Sequence, residues 1–249
     1  MSHHVVEVTD LHFAYPDGTV ALCGVSFRIA HGESVAIIGG NGAGKSTLLE
    51  HLNGYLMPQR GDVRVGELLL TPATAPAIRR CVGVVFQDPD DQLFMSTVLD
   101  DVAFGPLNLG LPAAEVAQRC AAAMERVGMA HLRDRPPYKL SAGEKRAVAI
   151  AAVLAMTPDV LVMDEPSSHL DPRGRRRLIA LLQSFEHTKI IATHDLELVV
   201  EVCPRVIVLD HGRIVAQGPA RELLNDEALM LAHGLERPHS LRHAHPPPA

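Results

Sequence analysis

The nine residues GGNGAGKST, at positions 39–47, constrain the fold of this chain more than any other feature. An apolar run, SVAIIGG (34–40), leads into them, and a helix-like run, KSTLLEHLNGY (45–55), follows. Glycines allow successive backbone N–H groups to turn inward, and a helix that begins at the end of the loop adds the positive end of its dipole. A glycine loop in this setting predicts a phosphate-binding site between a buried strand and a helix.

The loop matches the pattern G-x-x-x-x-G-K-[ST] at Gly39, Gly44, Lys45 and Ser46. In such a loop the lysine bridges the β- and γ-phosphates of a nucleotide, and the hydroxyl binds Mg²⁺. The alternative is a purely structural glycine-rich turn, and the flanking strand and helix argue against it. We therefore expect the whole segment to bind nucleotide, that is, Gly39, Gly40, Asn41, Gly42, Ala43, Gly44, Lys45, Ser46 and Thr47.

A second motif, LVMDEP (161–166), ends a predicted buried strand with two acidic residues. Asp164 would hold Mg²⁺, directly or through water. Glu165 would orient the attacking water as a general base. Acidic residues at a strand end can also simply cap a loop, and it is the presence of the phosphate loop that favours the catalytic interpretation.

The other apolar runs predict an α/β fold. TKIIATHD (188–195) and RVIVLD (205–210) are typical of buried strands, and helical patterns lie between the runs. Strands that are apolar on both faces and alternate with helices indicate a parallel sheet covered on both sides. Residues 5–33 instead alternate apolar and polar, which predicts an N-terminal antiparallel β subdomain. Residues 97–145 have helical periodicity with Pro and Gly breaks, which predicts an inserted α-helical subdomain.

Composition and charge narrow the functions available. Hydrophobic residues make up 47% of the 249 residues, enough for a large core, and the formal net charge is −6. The densest basic run, RGRRR (173–177), is expected to be a solvated helix face, so we predict no nucleic-acid partner. The four cysteines have no CxxC spacing, which fits a reducing compartment. The longest apolar run, 147–156, is shorter than the roughly 20 residues of a membrane span, so any membrane role is expected to come through a partner.

Seven motifs occur in order along the chain: Tyr15, GGNGAGKST, Gln87, LSAGEKR, LVMDEP, SSHLD and THD. In this order they resemble the ATP-binding subunits of ATP-binding-cassette (ABC) transporters, over residues about 5–220. Three further segments, FAYPDGTVAL, VFQDPDDQLF and TVLDDVAFGPLNLGLP, look like the ATPases of energy-coupling-factor importers, closest to the cobalt/nickel type. The resemblance implies a P-loop NTPase fold with a RecA-like parallel-sheet core, in one ATP-binding domain over residues 1–235. Residues 236–249 are expected to form a mobile tail rich in His and Pro.

The resemblance also implies a role for each motif within one subunit. Glu165 would be the catalytic carboxylate, and His194 would contact the γ-phosphate. Tyr15 would stack on adenine, and Gln87 would touch both Mg²⁺ and the attacking water. The cofactors would be ATP and Mg²⁺, the latter bound by Ser46, Gln87 and Asp164.

A dimer is implied by the segment LSAGEKR (140–146). In the family this segment of one subunit closes over ATP held by the phosphate loop of the other, so Ser141, Gly143 and Glu144 would bind nucleotide across the interface. A Ser hydroxyl and free N–H groups at a helix start favour an anion. Asp171, in SSHLD, would help to link the two sites. The second ATPase subunit is most simply an identical chain.

The other implied partners are a transmembrane energy-coupling T component and a substrate-binding membrane component. They would hold the chain peripherally at the cytoplasmic face of the cell membrane. Asp88, Asp90 and Asp91 follow Gln87 and could meet arginines of the membrane partner, although a solvated acidic loop is the alternative.

The predicted function is therefore an ATPase subunit that energises uptake of cobalt or nickel. Uptake of a water-soluble vitamin is the alternative cargo, and a stand-alone P-loop kinase or a DNA-repair or structural ATPase is the alternative class. Two residues depart from the family pattern: Ala142 replaces a glycine, and the bulkier His169 stands where Gly or Ala is usual. Both departures bear on the hydrolysis rate. The tail histidines His233, His239, His243 and His245 are expected to be solvated and not to bind metal.

Overall fold

The computed structural model describes residues 4–242, in which ten strands form two sheets. The strands are β1 His4–Ala14, β2 Val20–Ala30, β3 Ser34–Ile38, β4 Arg60–Val65, β5 Leu68–Leu69, β6 Val82–Val85, β7 Val160–Asp164, β8 Thr188–Ala192, β9 Arg205–Asp210 and β10 Arg213–Pro219. The helices of the described part are α1 Lys45–Leu52, α2 Ala75–Cys81, α3 Val98–Asn108, α4 Ala113–Arg126, α5 Ala142–Leu154, α6 Pro172–Ser184, α7 Leu196–Val202, α8 Ala220–Asn225, α9 Glu227–Ala232 and α10 His239–Arg242. Short 3₁₀ turns cover Pro89–Asp91, Ala130–Leu132 and Pro137–Lys139.

The larger sheet has the strand order β10-β9-β3-β8-β7-β6. All its pairs are parallel except β9 with β10, which closes one edge as an antiparallel hairpin. Strand β3 is central and buried along its whole length. Its alternate residues enter two different cores, because successive side chains of a strand point to opposite faces: Ala36 and Ile38 face one core, and Val35 and Ile37 the other.

The smaller sheet, of order β2-β1-β4-β5, is antiparallel and packs on one of these cores. The predicted α/β fold with an N-terminal antiparallel β subdomain is therefore confirmed. Helices α3, α4 and α5 pack on one another through buried residues such as Val102, Cys120 and Val148. The sequence-based boundary of this helical part, 97–145, falls inside α5, because the Ala-rich run continues the helix to Leu154 without a break.

The C-terminal segment lies against α7. The backbone N–H of Ser240, in α10, donates to Glu197 Oε1 at 3.1 Å. Leu241 packs against the core that contains Ala36 and Ile38. These residues belong to the predicted mobile tail, 236–249, whose last part, 243–249 with His243 and His245, lies outside the described residues. In residues 4–242 no helix is long and apolar enough to cross a membrane.

Candidate nucleotide-binding site

The phosphate loop opens a cleft of about 690 Å³ at the carboxyl ends of the parallel strands. Gly42 (φ 76°) and Gly44 (φ 101°) adopt left-handed conformations that favour glycine. Gly44 is also the N-cap of α1 and supplies no capping side chain, so the first N–H groups of the helix remain available to an anion. The loop thus combines the two features that bind phosphate, inward N–H groups and a helix start.

Lys45 places its ammonium inside this loop. Its Nζ donates to the carbonyl oxygens of Gly39 and Gly40 at 2.9 and 3.0 Å, and the residue is 9% exposed. A phosphate that binds the loop would therefore meet a positive charge already held in place, at little cost in side-chain ordering.

Asp164 faces this loop from the end of β7. Burial raises the pKa of its carboxyl group, a hydrogen bond from the Ser46 hydroxyl opposes that shift, and the neighbouring Glu165 carboxylate adds to it. Gln87 lines the same cleft. These three oxygen-bearing side chains, Ser46, Gln87 and Asp164, fit Mg²⁺, a hard cation that prefers oxygen ligands. A divalent cation there would favour the ionised carboxylate and counteract the effect of burial.

Glu165 and His194, the two predicted catalytic residues, lie in contact. Glu165 is 7% exposed and has a left-handed backbone (φ 45°), fixed by a 2.8 Å hydrogen bond from its N–H to the Ala192 carbonyl. Its Oε2 accepts from the Thr193 hydroxyl at 3.1 Å and from the His194 N–H at 3.2 Å, and lies 2.8 Å from His194 Nδ1. One carboxylate oxygen is therefore oriented by the segment that follows β8.

Tyr15 forms an aromatic wall of the cleft. Its hydroxyl is 2.8 Å from Thr47 Oγ1, and its ring meets Phe13 edge to face at 5.2 Å. Phe13 in turn contacts the fully buried His51, whose Nδ1 lies 2.7 Å from the Thr47 carbonyl oxygen. Sequence reasoning identified Tyr15 and Thr47 but missed Phe13 and His51. The available signal for His51 was its i,i+4 spacing from Thr47 on α1.

Ser141, Gly143 and Glu144 do not line this cleft. Ser141 is the N-cap of α5, and with Glu144 it forms a capping box in which the Ser141 N–H donates to Glu144 Oε2 at 2.8 Å. Ser141 is exposed, so the helix start faces solvent in the single chain. Asp171 is likewise exposed and caps α6, accepting from the Gly174 N–H at 2.7 Å.

The two departures from the family pattern differ in conformation. Ala142 is the first residue of α5 and is not left-handed, so its methyl group imposes no backbone strain. His169 has φ 62°, a left-handed conformation that disfavours residues with a Cβ, and it borders the nucleotide cleft.

The segment around Gln87 is tied to α5. Arg146, 3% exposed, donates to the Phe86 and Gln87 carbonyl oxygens, and Lys145 Nζ lies 2.6 Å from Asp90. Asp88 accepts from the Asp90 N–H at 2.9 Å. Two of the acids that sequence analysis placed opposite a membrane partner thus have partners within the chain. Arg146 was not identified from the sequence, because its partners are backbone atoms about sixty positions away.

Among residues 4–242 no group of three or more His, Cys, Asp or Glu side chains could hold a metal ion. His233, one of the tail histidines, instead places Nδ1 2.9 Å from Asp210 Oδ2.

Comparison with known proteins gives a consistent result. The ABC transporter family matches residues 22–168. A putative ABC transporter ATP-binding protein of Geobacter sulfurreducens is 62% identical, covering 97% of each chain. An energy-coupling factor transporter ATP-binding protein, EcfA, of Carboxydothermus hydrogenoformans is 48% identical, covering 94% of this chain and 87% of the relative.

Solved structures agree. The structure of cbiO1 from Clostridium perfringens, part of the ABC transporter complex cbiONQ, superposes with a TM-score of 0.82 at 40% identity, covering 93% of this chain and 94% of that one. The dimeric structure of a post-hydrolysis state of the ATP-binding cassette MJ0796, bound to ADP and Pi, superposes with a TM-score of 0.79 at 26% identity, covering 86% and 98%. The chain therefore belongs to the ABC transporter family, as an ATPase subunit of the energy-coupling-factor and CbiO type.

Proposed function

We propose that this ATPase energises uptake of a transition-metal ion, cobalt or nickel, with ATP held between two copies of the chain arranged head to tail. The observation that carries the dimer is the separation of the two halves of the site. The phosphate loop, Glu165 and His194 border one cleft, whereas Ser141 is exposed and does not line it; its neighbour Ala142 lines an adjoining cavity with Ser46 and Asp164. A second copy would bring its own Ser141 over this cleft.

The start of α5 is suited to that role. It is the exposed positive end of a 13-residue helix, and its capping box holds the Ser141 side chain in a defined position. An exposed helix N-terminus next to a triphosphate favours the bound anion. The dimeric structure of the related cassette MJ0796 supports the same assembly.

In the proposed mechanism the groups of the cleft have different roles. The loop N–H groups and Lys45 bind the phosphates. Ser46, Asp164 and Gln87 would hold Mg²⁺, which when bound offsets the charge of the phosphate oxygens. Glu165 accepts a proton from the attacking water, and His194 orients that carboxylate and contacts the γ-phosphate. Loss of the γ-phosphate removes contacts that join the two subunits, so hydrolysis loosens the dimer.

The membrane partners would dock beside the Gln87 segment. Phe94 and Phe104 meet edge to face at 5.0 Å yet remain 62% and 42% exposed, and Leu107 on the same helical part is 58% exposed. An exposed apolar cluster of this kind is typical of an interaction surface. We assign it to the transmembrane T component, which with a substrate-binding component would place the chain at the cytoplasmic face of the membrane.

The cargo assignment rests on the resemblance of segments such as VFQDPDDQLF to cobalt/nickel-type ATPases, together with the likeness to cbiO1. It is tested by co-expressing the chain with candidate membrane components and measuring ATP-dependent uptake of labelled Co²⁺, Ni²⁺ and vitamins. We expect metal uptake that Glu165→Gln abolishes while ATP binding persists. Glu186→Gln, at an exposed glutamate, serves as the matched control and should transport normally.

Two results would count against the proposal in different ways. Uptake that survives Glu165→Gln would show that Glu165 is not the catalytic carboxylate. Vitamin uptake without metal uptake would leave the ATPase mechanism intact and replace the cargo.

A further inference from the structure

Arg175 differs from the other arginines of the basic run 173–177. Its Nε donates to Asp195 Oδ2 at 2.9 Å and its Nη2 to Asp195 Oδ1 at 3.1 Å, a two-point contact with one carboxylate. Nη1 also lies 3.2 Å from Glu201 Oε1. Arg175 is half-buried, whereas Arg173, Arg176 and Arg177 are exposed. Bidentate pairs of this kind fix orientation as well as charge.

Asp195 directly follows His194 in the chain. Its Oδ1 accepts from the Leu198 N–H at 2.9 Å and so caps α7, and its own N–H donates to Thr193 Oγ1 at 3.0 Å. The same Thr193 hydroxyl reaches Glu165. The short segment 193–195 is thus held by α7 on one side and by the Glu165 carboxylate on the other.

Arg175 approaches this segment from the opposite part of the site. It lies in the first turn of α6, which begins at the end of segment 165–171, and its N–H donates to the Asp171 carbonyl oxygen at 2.9 Å. The Arg175–Asp195 pair therefore connects the two chain segments that carry Glu165 and His194.

The charge state supports a lasting contact. Burial acts to raise the pKa of Asp195, but the hydrogen bonds from Arg175 and the Leu198 N–H, together with the charge of Arg175, hold that pKa below its usual value. The carboxylate is thus ionised at neutral pH. The His194 side chain, by contrast, is 70% exposed, so its position depends chiefly on its own backbone and on the contact with Glu165.

We infer that Arg175 is a positioning residue for ATP hydrolysis, which acts through Asp195 to keep His194 in register with Glu165. The inference rests on the proposed roles of Glu165 and His194. Arg175 does not line the nucleotide cleft, and its side chain hydrogen-bonds to Asp195 and Glu201 rather than to Glu165 or His194. It should therefore affect the rate of hydrolysis and leave the binding of ATP almost unchanged.

The first test compares two arginines on one helix in the purified full-length chain. We expect Arg175→Gln to lower kcat on the order of tenfold, as small misplacements of catalytic groups do, with the Kd for a fluorescent ATP analogue changed by less than about twofold. Arg176→Gln should change both by less than about twofold. Arg175→Lys should fall between, because lysine keeps the charge but not the two-point contact.

The second test separates positioning from a general structural effect. In a His194→Ala background, where slow hydrolysis is followed by release of radioactive phosphate, Arg175→Gln should cost less than about twofold, since its target is gone. The NMR resonances of the His194 ring should shift or broaden in Arg175→Gln and stay in place in Arg176→Gln.

The outcomes are distinct. The inference fails if His194→Ala is impaired while Arg175→Gln is not, if Arg175→Gln costs the same with and without His194, or if the His194 resonances do not respond. Full activity of His194→Ala would instead refute the proposed role of His194, and the positioning role with it.

Discussion

Replacement of Gly39 by alanine tests whether packing against β9 holds the phosphate loop. Unlike Gly42 and Gly44, Gly39 is not left-handed. A Cβ at Gly39 would nevertheless lie 2.1 Å from the Leu209 carbonyl oxygen and 3.0 Å from Ala43 Cβ. Leu209 belongs to β9, which is paired with β3, so its carbonyl cannot turn aside as a side chain would. A Cβ at the adjacent Gly40 would meet no atom within 4 Å.

The size of the effect follows from these distances. A carbon–oxygen contact needs about 3.3 Å, so the loop or β9 would have to move by roughly 1 Å. Overpacking of this kind costs about 1–3 kcal/mol. For a chain of this length each kcal/mol corresponds to about 2–4 °C in Tm, so Gly39→Ala should lower the Tm by about 2–12 °C. Gly40→Ala should stay within about 0.5 kcal/mol of the parent chain.

The assay is thermal unfolding of both variants without nucleotide, followed by circular dichroism. Titration with an ATP analogue should also show weaker binding by Gly39→Ala, because the displaced loop no longer presents its N–H groups correctly. Equal Tm values for the two variants would refute the reasoning, which rests on the different space around the two glycines.

Two further predictions concern the dimer and the buried histidine. Ser141→Arg should block hydrolysis and leave ATP binding to the isolated subunit largely intact; loss of binding in the monomer would show that Ser141 serves its own chain's site. Burial lowers the pKa of His51. Below pH 6.5 the His51 imidazole is therefore protonated more fully in the unfolded chain than in the folded chain. The free energy of unfolding consequently falls as the pH falls through that range. His51→Phe keeps an aromatic ring beside Phe13 and should make the free energy of unfolding, measured by urea denaturation, less dependent on pH between about pH 5 and 7. The exposed His211→Asn, as the control, should leave this pH dependence unchanged. An unchanged pH dependence in His51→Phe would show that His51 is not its source.

The parts of the fold that sequence predicted well are those set by local pattern. The run SVAIIGG followed by GKST requires a buried strand, a glycine turn and a helix start, and these became β3, the phosphate loop and α1. Strand β7 and the acids at its end, Asp164 and Glu165, were predicted equally well. An apolar run that ends in acidic residues is a local pattern, and it indicates a buried strand whose end reaches a polar environment. The antiparallel pairing of β10 with β9 was not predicted, since its residues alternate in burial without a strong apolar signal.

Contacts between distant segments could not be read from pattern. The run RGRRR looks like a uniform basic face, and only the rotation of α6 against α7 decides that Arg175 turns inward while its neighbours face solvent. The contacts of Arg146 could not be predicted from the sequence either. Its partners are backbone carbonyl oxygens, which every residue has, so no residue type marks them. The cobalt or nickel cargo stays a prediction.

The backbone between β7 and α6 shows why this segment needs such anchors. It contains two left-handed residues with side chains, Glu165 at φ 45° and His169 at φ 62°, each of which costs about 1–2 kcal/mol relative to ordinary backbone. The segment is fixed at its start by the Glu165 N–H bond to Ala192 and at its end by the capping of α6 by Asp171. The strained backbone of this segment persists only while both of these contacts are intact. The Glu165 backbone therefore keeps its geometry through contacts made outside the cleft, at Ala192 and Asp171, and we predict that variants at those contacts change turnover before they change nucleotide affinity.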